Sequence, residues 1–300
     1  MKEIIFPLFL SGFLVWILTP LARRLGFRFG ILDYSDHKAI PCTGGVAIYA
    51  SFFGSIILAA YISPCLSLSK DLVSLTIGGT LLLGLGIYDD RKGLTALKKL
   101  FAQSAISLIV ILLGLKITAL AKIQLGWAGF PISLLWFLGF INAINLIDGL
   151  DGLASGITAI TTLVLLLLSP SPEFLILVAA LAGATLFFLR FNLSKKRKIF
   201  LGDNGSMLLG FLLAGLSIVG SHKGRAFDIL AITLICLGVP ICDTALAILR
   251  RRKKKVSIFS RDKEHIHHQL LNKGMSQKEA LLLIYGITLV MAVIGLCLIR

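Results

Sequence analysis

Charge is scarce in this chain, and acidic charge is scarcest. Only 15% of its 300 residues are charged, and 15 aspartates and glutamates stand against 30 lysines and arginines. Ordinary soluble chains carry about 25% charged residues. Polar stretches long enough for a separate soluble domain are also missing, so a single integral-membrane domain over 1–300 is expected. Cysteine is sparse and scattered. Cys42, Cys65, Cys236, Cys242 and Cys297 form no close pair, which excludes a CxxC-type metal or redox site. Residues 4–22 lack the flanks of a signal peptide. Their charged lead is only Lys2 with Glu3, and Pro20, Leu21, Ala22, Arg23 and Arg24 make no small-residue cleavage site. A first spanning helix is expected there instead.

Hydrocarbon is what the chain has in abundance. Apolar residues make up 57%, and the mean hydropathy is +0.92. Runs near the roughly 20 residues that cross a bilayer recur along the whole length. Ten spans are expected, near 4–22, 44–63, 71–88, 100–116, 131–147, 155–169, 174–190, 205–221, 229–249 and 281–299. This makes the fold class an all-α polytopic membrane protein. The alternate loops 23–43, 89–99, 148–154, 190–204 and 250–280 hold 23 of the 30 lysines and arginines. The positive-inside rule makes that side cytoplasmic and both termini extracytoplasmic. The net charge of +15 then reflects orientation and contact with anionic headgroups, and no nucleic-acid partner is expected.

Orientation requires only lysine and arginine, yet the acids gather on the same side. Asp33, Asp36, Asp89, Asp90, Asp148, Asp151, Asp203, Asp243, Asp262, Glu264 and Glu279 all lie in or beside the basic loops. Ionised groups next to hydrocarbon cost about 2.5–3.5 kcal/mol each at a helix centre, so a polar, cytoplasm-facing reaction centre is the simplest cause.

Three acidic clusters carry the chemistry. Asp89 and Asp90 close an apolar helix, where they oppose the helix dipole unless a cation or the nearby Lys92, Lys98 and Lys99 offset them. Asp148 and Asp151 are three apart, one turn beyond Asn145, and Gly149 and Gly152 admit close approach of a ligand. Gly202, Asp203, Asn204 and Gly205 open an apolar helix, where free N–H groups suit phosphate. Each cluster alone also reads as a solvated helix end or a cap. Two further elements join them: Lys38 before Gly44 and Gly45, and the loop His265, Ile266, His267, His268 after the basic run Arg250–Lys255. Clustered carboxylates, basic side chains and helix N-termini together make a kit for Mg²⁺-assisted phosphoryl transfer.

These residues resemble the polyprenyl-phosphate N-acetylhexosamine-1-phosphate transferases, relatives of the translocase that makes the first lipid intermediate of peptidoglycan. The resemblance runs from Asp36 to Leu271. It rests on Asp89, Asp90, Leu94, Lys99 and Gln103, on the unbroken motif Asn145 to Ala154, on Phe200 to Ser206, and on His265, His267 and His268. It implies attack of a lipid phosphate, usually undecaprenyl phosphate, on a UDP-N-acetylhexosamine, with UMP leaving and Mg²⁺ (or Mn²⁺) required. The His-Ile-His-His run after Asp262 and Lys263, and the segment Asn192–Phe200, are similar to the N-acetylglucosamine branch of O-antigen and teichoic acid pathways rather than to the muramoyl-pentapeptide branch.

Carried over by motif, Asp203 and Asp90 are the implied metal ligands. Asp89, Asp90, Asp203 and His267 are the implied catalytic set, with Asp89 as an optional base. Lys38, Lys99, Asn145, Asp148, Asp151, Gly152, His265 and His268 are the implied substrate-binding set. The expected location is a bacterial-type inner membrane, with a second copy of the chain admitted as a partner. A membrane prenyltransferase and an ion-coupled transporter are the competing classes.

Overall fold

The computed structural model describes residues 2–35, 38–62, 69–121, 123–222, 226–257 and 264–299. Asp36, Asp262 and Lys263, singled out above, lie outside the described residues, as does Cys65.

Each of the ten expected apolar segments falls on helix. In chain order these are α1 (Lys2–Phe29), α2 (Gly44–Ile62), α3 (Lys70–Lys92), α4 (Ala96–Leu112), α5 (Gly129–Ile147), α6 (Leu153–Leu167), α7 (Pro172–Asn192), α8 (Gly202–Gly220), the pair α9 (Ala226–Cys236) and α10 (Gly238–Lys253), and, after the short α11 (Ile266–Asn272), α12 (Gln277–Ile299). Two small antiparallel hairpins interrupt them, β1 (Leu32–Ser35) with β2 (Lys38–Pro41) and β3 (Ala119–Leu120) with β4 (Ile123–Gln124). The chain is thus an all-α membrane protein of many spans.

Among the described residues seven helices, α1, α2, α3, α5, α7, α8 and α12, are long and apolar enough to cross a bilayer. The expected ninth span is broken. Its halves α9 and α10 bend by 66° beside Gly238 and Pro240, where proline removes a backbone donor. The expected spans at 100–116 and 155–169 fall on α4 and α6, of 17 and 15 residues. At 1.5 Å per residue these reach about 26 and 23 Å, short of a hydrocarbon core of about 30 Å. Helix α4 also starts earlier than expected, because the Thr95 hydroxyl accepts from the Lys98 N–H at 3.4 Å and draws Lys98 and Lys99 into the first turn.

The centre of the bundle is α8. It is apolar on every side, and every residue from Asn204 to Gly220 is buried, as a helix without a polar face must be. Helices α2, α3, α5, α6, α7 and α9 pack around it. Helices α1 and α12 lie outside, with Phe9, Phe13, Trp16, Val290 and Val293 turned outward as lipid-facing side chains. Dispersion and close approach replace the hydrophobic effect in such a core. Gly86 on α3 lets that helix touch α8 backbone to backbone: a methyl group there would sit 2.5 Å from the Asn204 nitrogen. That contact sets Asp89 and Asp90, one turn further on, against the start of α8.

Candidate active site

Asp90 reaches across to the start of α8. Its Oδ1 accepts from the Asp203 N–H at 2.8 Å, and its Oδ2 from the Asn204 N–H at 3.0 Å and from Asn204 Nδ2 at 2.5 Å. Leu201, at the capping position of α8, offers no side-chain bond of its own. A carboxylate from the C-terminus of α3 therefore caps the N-terminus of α8, and the positive end of one dipole offsets the negative end of the other.

Asp203 sits beside this cap. Its Oδ1 accepts from Asn145 Nδ2 at 2.5 Å, and Asn145 also donates to the Ser206 hydroxyl at 2.8 Å. Its Oδ2 accepts from Lys99 Nζ at 2.9 Å. The same ammonium pairs with Asp89, whose other oxygen accepts from the Leu94 N–H at 2.7 Å. Lys99 therefore bridges a buried carboxylate and a half-buried one. Behind it, Asn142 donates to Gln103 at 2.9 Å, which extends the polar network from α5 to α4.

These helix ends enclose a cavity of about 420 Å³. Asp33, Asp90, Asn145, Asp148, Asp151 and Asp203 line it together with Leu150, Phe200 and Ser206. Asp148 stands just beyond α5. Burial, then the charges of Asp203, Asp90 and Asp151, push its carboxyl well above the usual carboxylate range. Asp151 is paired with Lys198 at 2.6 Å. Gly152 is fixed at both polar groups: its N–H donates to Asn192 Oδ1 at 2.7 Å, and its carbonyl accepts from the Tyr285 hydroxyl at 2.6 Å. Asn192 in turn donates to the Ile199 carbonyl at 2.9 Å, so one amide joins the Asp148–Gly152 turn to the loop that leads into α8.

The histidine loop reaches this turn from the other side. His267 is 2% exposed, and its ring lies so close to Gly149 that a β-carbon there would overlap it. His268 is half-buried, its ring centroid 4.2 Å from that of His267. Burial first, then the neighbouring His268 and His265, lower the His267 imidazole to about 4. Lys38 lies exposed at the end of the β1–β2 hairpin and, like Asp89, Lys99, Gly152 and the three histidines, is not among the residues lining the cavity.

Three residues at or near the centre had no role assigned from sequence. Asp33 lines the cavity from β1, Asn192 ties two of its loops, and Asp243 on α10 holds His265. Asp243 carried a usable signal, since it is a lone carboxylate inside an apolar run.

Among the described residues no three His, Cys, Asp or Glu side chains converge on a common point. Magnesium takes one or two carboxylates, with substrate phosphates and water completing its shell. A cavity with more carboxylates than ammonium groups fits such a cation.

A many-helix membrane scaffold thus gathers acids, an ammonium group and a helix N-terminus at one end, and the transferase class follows from comparison with known proteins. The chain belongs to glycosyl transferase family 4, whose model matches residues 72–221. It is 33% identical over 307 residues to the probable undecaprenyl-phosphate N-acetylglucosaminyl 1-phosphate transferase of Bacillus subtilis (strain 168), covering 98% of this chain and 84% of that one. It is 31% identical to the decaprenyl-phosphate N-acetylglucosaminephosphotransferase of Mycobacterium tuberculosis (strain ATCC 25618 / H37Rv), over 92% of this chain and 77% of that one. To the undecaprenyl-phosphate alpha-N-acetylglucosaminyl 1-phosphate transferase of Escherichia coli (strain K12) it is 27% identical, over 91% and 78%.

Proposed function

We propose that this protein transfers N-acetylglucosamine-1-phosphate from UDP-N-acetylglucosamine to a polyprenyl phosphate such as undecaprenyl phosphate. The products are a lipid-diphosphate sugar and UMP, the first committed step of a cell-envelope polysaccharide. The observation that carries the reading is the meeting of Asp90, Asn145, Asp148, Asp151 and Asp203 around one cavity, in a chain whose relatives are named for this transfer.

The chemistry balances without a protein nucleophile. A phosphate monoester has its second pKa near about 6 and is mostly dianionic at neutral pH. Its oxygen forms a bond to the β-phosphorus of the donor. The bond from that phosphorus to the bridging oxygen breaks, and UMP leaves with the electron pair. Positioning and charge neutralisation then carry most of the rate. Mg²⁺, held by Asp203 with Asp90 behind it, would supply neutralisation at the diphosphate. Lys99 brings a second positive charge to the same place. Both Asp89 oxygens are engaged, one by Lys99 and one by the Leu94 N–H, which favours a charge-holding role over that of a base. The Asp203 and Asn204 N–H groups, expected to be free for phosphate, are taken by Asp90; His267 and His268 are suited to phosphate oxygens.

The site lies at the ends of helices bordered by the lysine- and arginine-rich loops, which supports a cytoplasmic active face. With ten crossings, counting α4, α6 and the bent pair α9–α10, both termini lie outside the inner membrane.

The test uses purified protein with undecaprenyl phosphate, Mg²⁺ and a panel of UDP-sugars, scored by lipid product and UMP. UDP-N-acetylglucosamine should give both in equal amounts. Release of inorganic diphosphate from a prenyl diphosphate would make the protein a prenyltransferase. Uptake of an unchanged substrate into proteoliposomes, with no UMP, would make it a transporter.

A further inference from the structure

Asp243 lies at the middle of α10 among apolar neighbours, 5% exposed. A carboxylate in such a place is costly unless its charge is fully engaged. It is engaged by one short stretch of chain. Its Oδ2 meets His265 Nδ1 at 2.7 Å, and its Oδ1 accepts from the Ile266 N–H at 3.0 Å. His265 is itself 4% exposed. It stands at the capping position of α11 without a side-chain bond to that helix, so Asp243 supplies the cap from a different helix.

This pair has two consequences for the reaction centre. The first is chemical. Which nitrogen of an imidazole bears its proton is set by the hydrogen bond the other makes. A carboxylate at Nδ1 accepts only, so the proton belongs on Nδ1 and Nε2 is left as a bare acceptor. The second is geometric. The rings of His265 and His267 lie parallel, 5.9 Å apart with an interplanar angle of 2°, and His267 rests on Gly149 beside Asp148. Among the described residues His267 Nδ1 has no hydrogen-bond partner in the protein. Helix α10 also packs on α5, which carries Asn145 into the cavity.

We infer that Asp243 is a positioning residue of the reaction centre: it holds the Nδ1–H tautomer of His265 and the start of α11, and so places His267 against the Asp148–Gly152 turn. The inference rests on the transferase reading for its effect on turnover, but not for its effect on His265.

Two measurements on the full-length protein test it. In the wild type, labelled with ¹⁵N-histidine at pH 8, His265 should show a protonated Nδ1 and a bare Nε2. A bare Nδ1 with a protonated Nε2, or protons on both, overturns the inference whatever the protein catalyses. The second measurement is a cycle of Asp243→Asn, His265→Gln and the double variant, in kcat, KM and thermal stability. Asparagine keeps the shape and can still accept from Ile266, yet its amide face forces the other tautomer on His265. Each single variant should lower kcat at least tenfold beyond any fall in the folded fraction, and the double should be no worse than the poorer single. Losses that multiply in the double variant, or a kcat for Asp243→Asn equal to that of the wild type, overturn the inference. A wild type that makes no UMP refutes the transferase reading instead, and leaves the tautomer measurement standing.

Discussion

Replacing Lys99 with methionine keeps the length of the side chain and removes its charge. Two carboxylates lose their partner, but not equally. The Asp89 side chain is 4% exposed and that of Asp203 is 33% exposed. Solvent can screen Asp203, so its share in stability is small. Asp89 has no such relief, and breaking a buried pair by removing one partner costs about 3–5 kcal/mol. Lys99→Met should therefore destabilise the protein by about that amount, measured by reversible unfolding in mixed micelles of graded SDS content. Adding Asp89→Asn removes the stranded charge and keeps an oxygen for the Leu94 N–H, so most of the loss should return. Turnover should not return with it. A lost cationic contact to a transferring phosphate is worth about 10²-fold in rate or more, in the single and the double variant alike. A Lys99→Met protein as stable as the wild type, or a double variant no more stable than the single, would refute the electrostatic reasoning. Recovery of activity in the double variant would show that Lys99 only shields Asp89.

Asp203→Asn should lower turnover by about 10³-fold or more at millimolar Mg²⁺ with little change in stability; near-normal turnover would remove it from the metal. Gly149→Val should displace His267, since even a β-carbon there overlaps the ring; turnover should fall further than the folded fraction does, and equal falls would separate the histidine loop from the reaction. His267 also gives a pH dependence of stability. Burial lowers the folded imidazole to about 4, below the 6.5 of a free one, so its contribution is fully present above about 6.5 and is lost as pH falls through about 4. His267→Gln should flatten the decline of stability over that interval, by about 1–3 kcal/mol; parallel curves for the two proteins would contradict the assignment.

Most of the bundle was legible in the sequence because a span in lipid needs one thing above all, an unbroken apolar run. Boundaries were less so. The run 229–249 reads as one span, yet Gly238 and Pro240 break it into α9 and α10, and only packing decides whether such a break bends the helix by 66°. The start of α4 depends on a single hydroxyl, that of Thr95. The β1–β2 hairpin, four residues to a strand, is too short to show a period of its own.

The chemistry was legible in part. Asp89, Asp90, Lys99, Asp148, Asp151 and Asp203 were singled out by charge beside hydrocarbon and Asn145 by its place one turn before Asp148; they gather at or beside one cavity. What the sequence does not express is who pairs with whom. Nothing local to Asp90 says that it caps a helix 113 residues away, and nothing local to Asp243 says that it meets His265 across a basic loop.

The central claim is that phosphorus and sugar move together from nucleotide to lipid. It is tested most directly with UDP-N-acetylglucosamine labelled with ³²P at the β-phosphorus and ³H in the sugar, incubated with the protein, Mg²⁺ and undecaprenyl phosphate. Both labels should enter the lipid in equal amounts, with one unlabelled UMP for each. Tritium in the lipid without ³²P, or ³²P appearing in UDP, would mean that the sugar–phosphate bond had been cut instead, and the account would be wrong.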